Sequence, residues 1–383
     1  MNASIASLSI NIVLDAISGS STLTARLKNL HDRLLSSVPW VDRIAFALYD
    51  GRDDILRTFI NSTRQGEAIS GYEFRLSDSA SLIHLATTGE FRVLDDIPRL
   101  IKPGARHSQW LLEQGYQSSF TVPLYHQGLF VGLVFYDSRQ LAAFNAKAQR
   151  DLVLYSNLIS MAISGELTAV QSIIKAARIA RDFANLRDFE TGAHLERMAC
   201  YARLIARAVA PAAGLSDEFI EHVSLYAPLH DIGKIGIPDR ILLKEGRLDP
   251  EERAIMENHV DKGVEVIERI LSDFGLFELP EASLLLNIVR FHHECLDGSG
   301  YPLGLRGDEI PIEARIVTVA DIFDALTYKR AYKRPWSMAD ALEELQRMAA
   351  AGKLDARCVG ALAGHTVALG DIMTRFRDEE SGD

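Results

Sequence analysis

The chain has 383 residues, 48% of them apolar, and a formal net charge of −11, enough length and apolar content for two or three domains with separate cores. The acidic balance excludes a nucleic-acid polymer as the main partner, because that needs a basic footprint. Three scattered cysteines, Cys200, Cys295 and Cys358, exclude a disulfide framework and point to a reducing cytoplasm; no stretch of 18 apolar residues and no basic-then-apolar leader predict neither a membrane span nor a secretory signal.

Residues 1–160 read as a mixed α/β module. Leu27, Leu30 and Leu34 predict a helix over Leu23–Leu35. Arg43–Tyr49 predicts a strand ended by the Asp50-Gly51 turn, with Ile55–Ile60 as its antiparallel neighbour. Ser79–Thr87 predicts a short helix opened by a Ser or Asp cap. Ser118–Tyr125, a turn at His126-Gln127-Gly128, and Phe130–Tyr136 predict a hairpin. The Val-Pro-Leu and Gly-Leu-Phe-Val-Gly-Leu-Val pattern of that hairpin, followed by Asp137-Ser138 and Phe144, resembles a GAF sensory domain. GAF domains hold small ligands, cyclic nucleotides and chromophores among them, or serve only to dimerise. No cysteine precedes Cys200, so no chromophore attachment is expected. His84, His107 and His126 are scattered and read as surface or hydrogen-bonded histidines, while Trp40 and Trp110 read as core or pocket aromatics; the GAF ligand is left unknown.

Lys147 to Asn185 reads as helix, interrupted only by Gly165. Leu167, Val170, Ile174 and Ala177, with Ala180 and Ala184 continuing the face, form a short coiled-coil seam. This predicts a connector over 161–187 that pairs two copies in a parallel homodimer.

The remainder, 188–383, reads as an all-α bundle, so the fold class is α+β multidomain. Ser216–Leu229 leads into His230-Asp231-Ile232-Gly233-Lys234; Asp249 caps a helix with Pro250 in its first position; Leu284–His293, Pro311–Leu326 and Met338–Met348 are further helices. Into this frame fall Glu190 and His194 at i, i+4, then His230-Asp231, His259, His292-His293 and Asp321. From His194 onward they recur roughly every 30 residues, about two helices plus loops, which is how a bundle brings distant groups to one core point. An imidazole beside a carboxylate suits a hard or borderline divalent metal, and one carboxylate can bridge two ions. Without a thiolate in the set, a Cys-rich structural zinc site is excluded, and iron or manganese is favoured.

His230-Asp231 with Lys234, then His292-His293-Glu294-Cys295-Leu296-Asp297-Gly298-Ser299-Gly300-Tyr301-Pro302, then Ala314–Val317 and Asp321–Thr327 with Arg330 and Tyr332, resemble the HD-GYP subgroup of the HD phosphohydrolase superfamily over about 188–360. Leu296 departs from the family's usual Trp, and Ala356 from its usual Pro. The resemblance implies two or three divalent ions, the first held by His194, His230, Asp231 and Asp321, and the second by Asp231, His259, His292 and His293. Glu190 stands where relatives with a third ion carry a Glu. It also implies a hydroxide bridging the metals that attacks a phosphodiester of cyclic di-GMP to give pGpG or GMP. Asp231 and Lys234 are then catalytic, and Lys234, Tyr301, Arg330 and Lys333 hold the substrate. Cyclic GMP-AMP is an alternative substrate. A non-catalytic dinucleotide receptor predicts a lost ligand, yet all eight are here, and the Gly-Tyr-Pro loop speaks against a nucleotidase. Glu294 is expected to orient an imidazole or a water, Asp297 to tie the loop together, and Asp324 to support the ligands from one turn beyond Asp321.

Overall fold

Thr22 opens helix α1 (Leu23–Leu34) by accepting a hydrogen bond from the Ala25 N–H at 3.2 Å. Leu23, Leu27, Leu30 and Leu34 lie on its buried face, as the spacing predicts. The structure is a computed structural model that describes residues 21–183, 192–244, 246–274, 276–277, 280–328 and 335–377. The chain divides into two compact units, Met1–Thr168 and Ala169–Asp383.

In the first unit, β1 (Arg43–Asp50), β2 (Ile55–Thr63), β3 (Glu73–Arg75), β4 (Arg92–Leu94), β5 (Ser118–His126) and β6 (Leu129–Ser138) form one antiparallel sheet in the order β3-β2-β1-β6-β5-β4. The β5–β6 hairpin turns on Gln127 and Gly128, whose φ values of 50° and 81° suit the twist of the strands. Helix α2 (Ala80–Thr88) starts on the Ser79 side chain and ends at left-handed Gly89; α3 (Arg106–Glu113) follows. Phe46, Phe120, Val134 and Tyr136 from the sheet meet Leu152, Ile159 and Ile163 of α4 (Ala146–Phe183) in one core.

Helix α4 runs 38 residues. The seam read from the sequence is used for packing inside the chain. Leu167 packs on the sheet's core, while Val170 and Ile174 pack on that of the second unit. Ala184 and the side chains of Ala177 and Ala180 lie outside the described residues. The large apolar residues that α4 leaves exposed are Leu154, Met161 and Ile179. Against the expectation of no span, Ala146–Ala176 is long and apolar enough to cross a membrane by length and composition alone, although Leu152, Ile159 and Ile163 are committed to the core.

The second unit is helical: α5 (Gly192–Ala213), α6 (Asp217–Tyr226), α7 (Pro250–Glu257), α8 (His259–Asp273), α9 (Pro280–Phe291), α10 (Ile312–Thr327), α11 (Met338–Ala350), α12 (Ala356–Ala363) and α13 (Thr366–Arg375). Helix α7 starts as predicted, with Asp249 and Glu252 capping each other's backbone N–H at 2.9 Å and Pro250 in the first turn. Tyr201, Ile205, Ile267, Leu285, Ile288, Val317 and Phe323 are fully buried in its core. Ala356 holds the first position of α12, where a proline would only preset a backbone that the Asp355 side chain already caps. The His-Asp motif is not part of a regular helix. It sits between two 3₁₀ turns, Ala227–Leu229 and Ile232–Gly236. Gly233 lets the second turn touch α8, since a Cβ there would lie 1.8 Å from His259 O.

Candidate metal centre

The ring tautomers follow from the backbone. His230 Nδ1 faces Ala227 O at 2.8 Å, His259 Nδ1 faces Met256 O at 2.8 Å, and His292 Nδ1 faces Val289 O at 3.0 Å. A carbonyl only accepts, so each Nδ1 carries the proton and donates. In the neutral ring, each Nε2 then turns a lone pair inward. His194 does the same against Asp324 Oδ2 at 2.7 Å. A second ring nitrogen held by a carbonyl or carboxylate is the usual arrangement of a metal-binding histidine.

What the lone pairs face is another set of lone pairs. Asp231 Oδ1 lies 3.1 Å from His259 Nε2 and 3.5 Å from His292 Nε2, while its Oδ2 lies 3.1 Å from His230 Nε2. The inward atoms of Asp231, His259 and His292 are buried without a hydrogen bond of acceptable geometry among the described residues. Burial lowers the pKa of His292 and, as the largest cause, lowers that of His293 strongly, so both rings are neutral. Acceptors converging on acceptors in a buried site call for a cation, and the donor set fits divalent metals.

Ligand atoms of Asp231, His259, His292 and His293 all lie within 4.8 Å of one another. Asp321 Oδ1 is 3.8 Å from His230 Nε2, and the His194 ring is 5.9 Å from the His230 ring, centre to centre. Seven of the eight predicted ligands thus converge, drawn from α5, the His-Asp turn, α8, the end of α9 and α10; Glu190 lies outside the described residues. Lys234 Nζ is 2.7 Å from Asp231 Oδ2. Burial opposes the Asp231 charge, but the Lys234 ammonium outweighs it and holds the carboxyl well below the usual range.

Tyr301 stacks on His293 with ring centres 4.7 Å apart. Burial, then the Asp231 charge, raises its pKa, so its hydroxyl stays protonated. Arg330 and Lys333 lie outside the described residues. Glu294 corrects an expectation. Its carboxylate accepts the backbone N–H groups of Leu303, Gly304 and Leu305 at 2.7, 3.1 and 3.0 Å and so anchors the loop after Gly-Tyr-Pro. Within that loop Asp297 accepts the Ser299 N–H at 2.9 Å, and Gly298 takes a φ of 80°.

Two residues escaped the sequence reading. Arg197 forks onto Asp324 at 2.6 and 3.0 Å, so a buried ion pair stands behind His194. Thr318 donates to His292 O at 2.7 Å. Arg197 lies three residues after His194 on the same helix, a spacing that marks it as a neighbour but does not reveal its partner.

Residues 179–358 match the family model of the HD domain. The "3'3'-cGAMP-specific phosphodiesterase 2" of Vibrio cholerae is 45% identical over 159 residues, covering 42% of this chain and 28% of that protein. The "Cyclic di-GMP phosphodiesterase" of Thermotoga maritima is 40% identical over 210 residues, covering 55% of this chain and 54% of that protein. The "Cyclic di-GMP phosphodiesterase response regulator RpfG" of Xanthomonas campestris is 41% identical over 229 residues, covering 60% and 56%. The chain thus spans 28 to 56% of the length of these relatives. Among solved structures, the GAF domain of an Acinetobacter phosphoenolpyruvate-protein phosphotransferase covers 41% of this chain and 92% of its own, at 18% identity and a TM-score of 0.32.

Proposed function

We propose that the chain is a cytoplasmic, metal-dependent phosphodiesterase that opens cyclic di-GMP to linear pGpG and continues to GMP, with its GAF-like domain as the regulatory input. The observation that carries this reading is the buried convergence of three imidazole Nε2 atoms on the two oxygens of Asp231. Relatives named cyclic di-GMP phosphodiesterases at 40 and 41% identity support the substrate.

Asp231 turns one oxygen toward His230 and the other toward His259 and His292, which suits a carboxylate shared by two ions. His194 and Asp321 complete the first set and His293 the second, with Glu190 for a third ion. The mixed nitrogen and oxygen donors favour iron or manganese. Bound divalent ions supply Lewis acidity that acidifies a water and neutralises phosphate charge. Lys234 provides a point charge beside a non-bridging phosphate oxygen, Tyr301 lines the pocket with a protonated hydroxyl, and Arg330 and Lys333 grip the phosphates. Water adds to phosphorus as the P–O3′ bond breaks; the leaving 3′ oxygen takes a proton, and one phosphomonoester replaces the diester.

Lys234→Ala is expected to lower turnover by about a hundredfold, as for loss of one positioned electrostatic group, with metal content unchanged. Initial rates and elemental analysis of the same sample check this; a wild-type rate or loss of metal contradicts it. A second substrate, cyclic GMP-AMP, is favoured by the 45% identity to a protein named for it. Incubating the metal-loaded chain separately with each dinucleotide and resolving the products decides between them. Hydrolysis of neither removes the proposal.

We also propose a homodimer through the connector helix over 161–187, supported by the exposed Met161 and Ile179. Sedimentation equilibrium is expected to give two chains per particle. A monomer at about 100 μM, where a specific interface of even micromolar affinity is mostly occupied, contradicts it.

A further inference from the structure

The first unit encloses a cavity of about 180 Å³ that the proposed reaction does not use. Its floor is the sheet, where Ala45 and Ala47 leave room beside Phe135, and its far wall carries Tyr72 and His107. His107, read from the sequence as a surface or hydrogen-bonded histidine, is a half-buried member of an aromatic stack. Its ring lies between Tyr72 and Trp110, 6.0 Å from each and within about 23° of parallel, and 5.9 Å from Phe135. Burial, with Arg43 second, pushes its pKa down to about 4, so at neutral pH it adds no charge.

Two cations line the cavity, Arg43 and Arg92, and no carboxylate does. Arg43 is matched, since it pairs with Asp137 at 2.5 Å, whose other oxygen accepts from Ser119 at 2.7 Å. Arg92 is not. Among the described residues its guanidinium donates only to hydroxyl oxygens, Ser81 at 2.9 Å and Thr121 at 3.3 Å, its buried Nε has no partner, and Asp137, already paired with Arg43, acts on it only as a more distant charge. One unmatched guanidinium at the wall of a mostly apolar cavity is a site for one negative charge.

Size and shape narrow the ligand. A dry apolar cavity of about 150 Å³ holds a benzene ring, whereas drug-sized ligands need roughly 300 Å³. About 180 Å³ therefore suits a single ring with a small charged group. The aromatic lining of Tyr72, Phe74 and Phe135 suits a planar body. We infer that this cavity binds a small aromatic monocarboxylate, its ring against the His107 wall and its carboxylate on Arg92.

Benzoate is the probe, and benzamide is its neutral isostere. Calorimetric titration of the full chain is expected to show benzoate binding at least about tenfold tighter than benzamide, the least that a charge-assisted hydrogen bond contributes. Arg92→Gln, which keeps a hydrogen-bonding side chain, is expected to bring benzoate down to the benzamide level. No benzoate binding up to about 10 mM, equal binding of the two probes, or undiminished benzoate binding by Arg92→Gln each overturns the inference. The comparison of probes on the wild-type chain needs no variant and stands if Arg92→Gln misfolds.

Discussion

Asp231→Ala is expected to reduce turnover of cyclic di-GMP by at least about a thousandfold and to strip the centre of metal. Both carboxylate oxygens are in use. Oδ1 faces His259 and His292, while Oδ2 faces His230 and Lys234. Without the carboxylate, three imidazoles remain beside an ammonium whose positive charge repels any incoming cation. No neighbouring group restores a bridging anion, because Asp321 approaches only from the His230 side. The fold should survive, since the backbone contacts that orient His230, His259 and His292 do not pass through Asp231. Rates, metal content and a thermal melt of one preparation check this together. More than about a tenth of wild-type turnover in the variant contradicts the account. His230→Ala, which removes a ligand from one side, is expected to abolish turnover as well.

The second large effect is on stability. Arg197→Ala is expected to cost about 3–5 kcal/mol, the range for removing one partner of a buried ion pair. Arg197 and Asp324 are 1% and 3% exposed, so Asp324 would keep its charge in the interior with only the His194 ring beside it. Burial disfavours that charge, and hydrogen bonds from His194 and Arg197 now hold its pKa below the usual carboxylate range. Arg197 also donates to Phe376 O at 2.9 Å and lies 3.3 Å from the Tyr328 ring centre, so one truncation loosens α5, α10 and the end of α13 together. His194 loses the support of its orienting carboxylate, and metal affinity should fall about 10- to 100-fold. Urea unfolding and metal titration measure the two effects. A loss of stability under about 1 kcal/mol would show that the pair contributes no more than an exposed one.

Much of this was legible because the signals were local. Alternating apolar residues and Gln127-Gly128 define the hairpin, and Asp249-Pro250 with Glu252 define a helix start whatever the tertiary context. The convergence of His230, Asp231, His259, His292 and His293 was legible because each sits at a helix end or turn in a bundle of evenly spaced helices. Strands Glu73–Arg75 and Arg92–Leu94 were not, since three residues carry no period and exist only by pairing with β2 and β5. The α4 seam leaves its partner open, because a 3-4 apolar spacing marks a buried face without saying what buries it. Glu294 and Arg197 were missed in role for a related reason. A charged side chain in a helical or loop frame gives no sign of its partner, and theirs are backbone N–H groups up to 11 residues away and a carboxylate 127 residues away.

The measurement closest to the central claim is elemental analysis of the full chain purified without oxygen, beside Asp231→Ala prepared the same way. At least about two divalent ions per wild-type chain, iron or manganese, are expected, and fewer than one in the variant. A well-folded wild-type chain that retains less than one ion after incubation with both metals would contradict the claim, because the facing lone pairs of Asp231, His259 and His292 would then be resolved by something other than a cation.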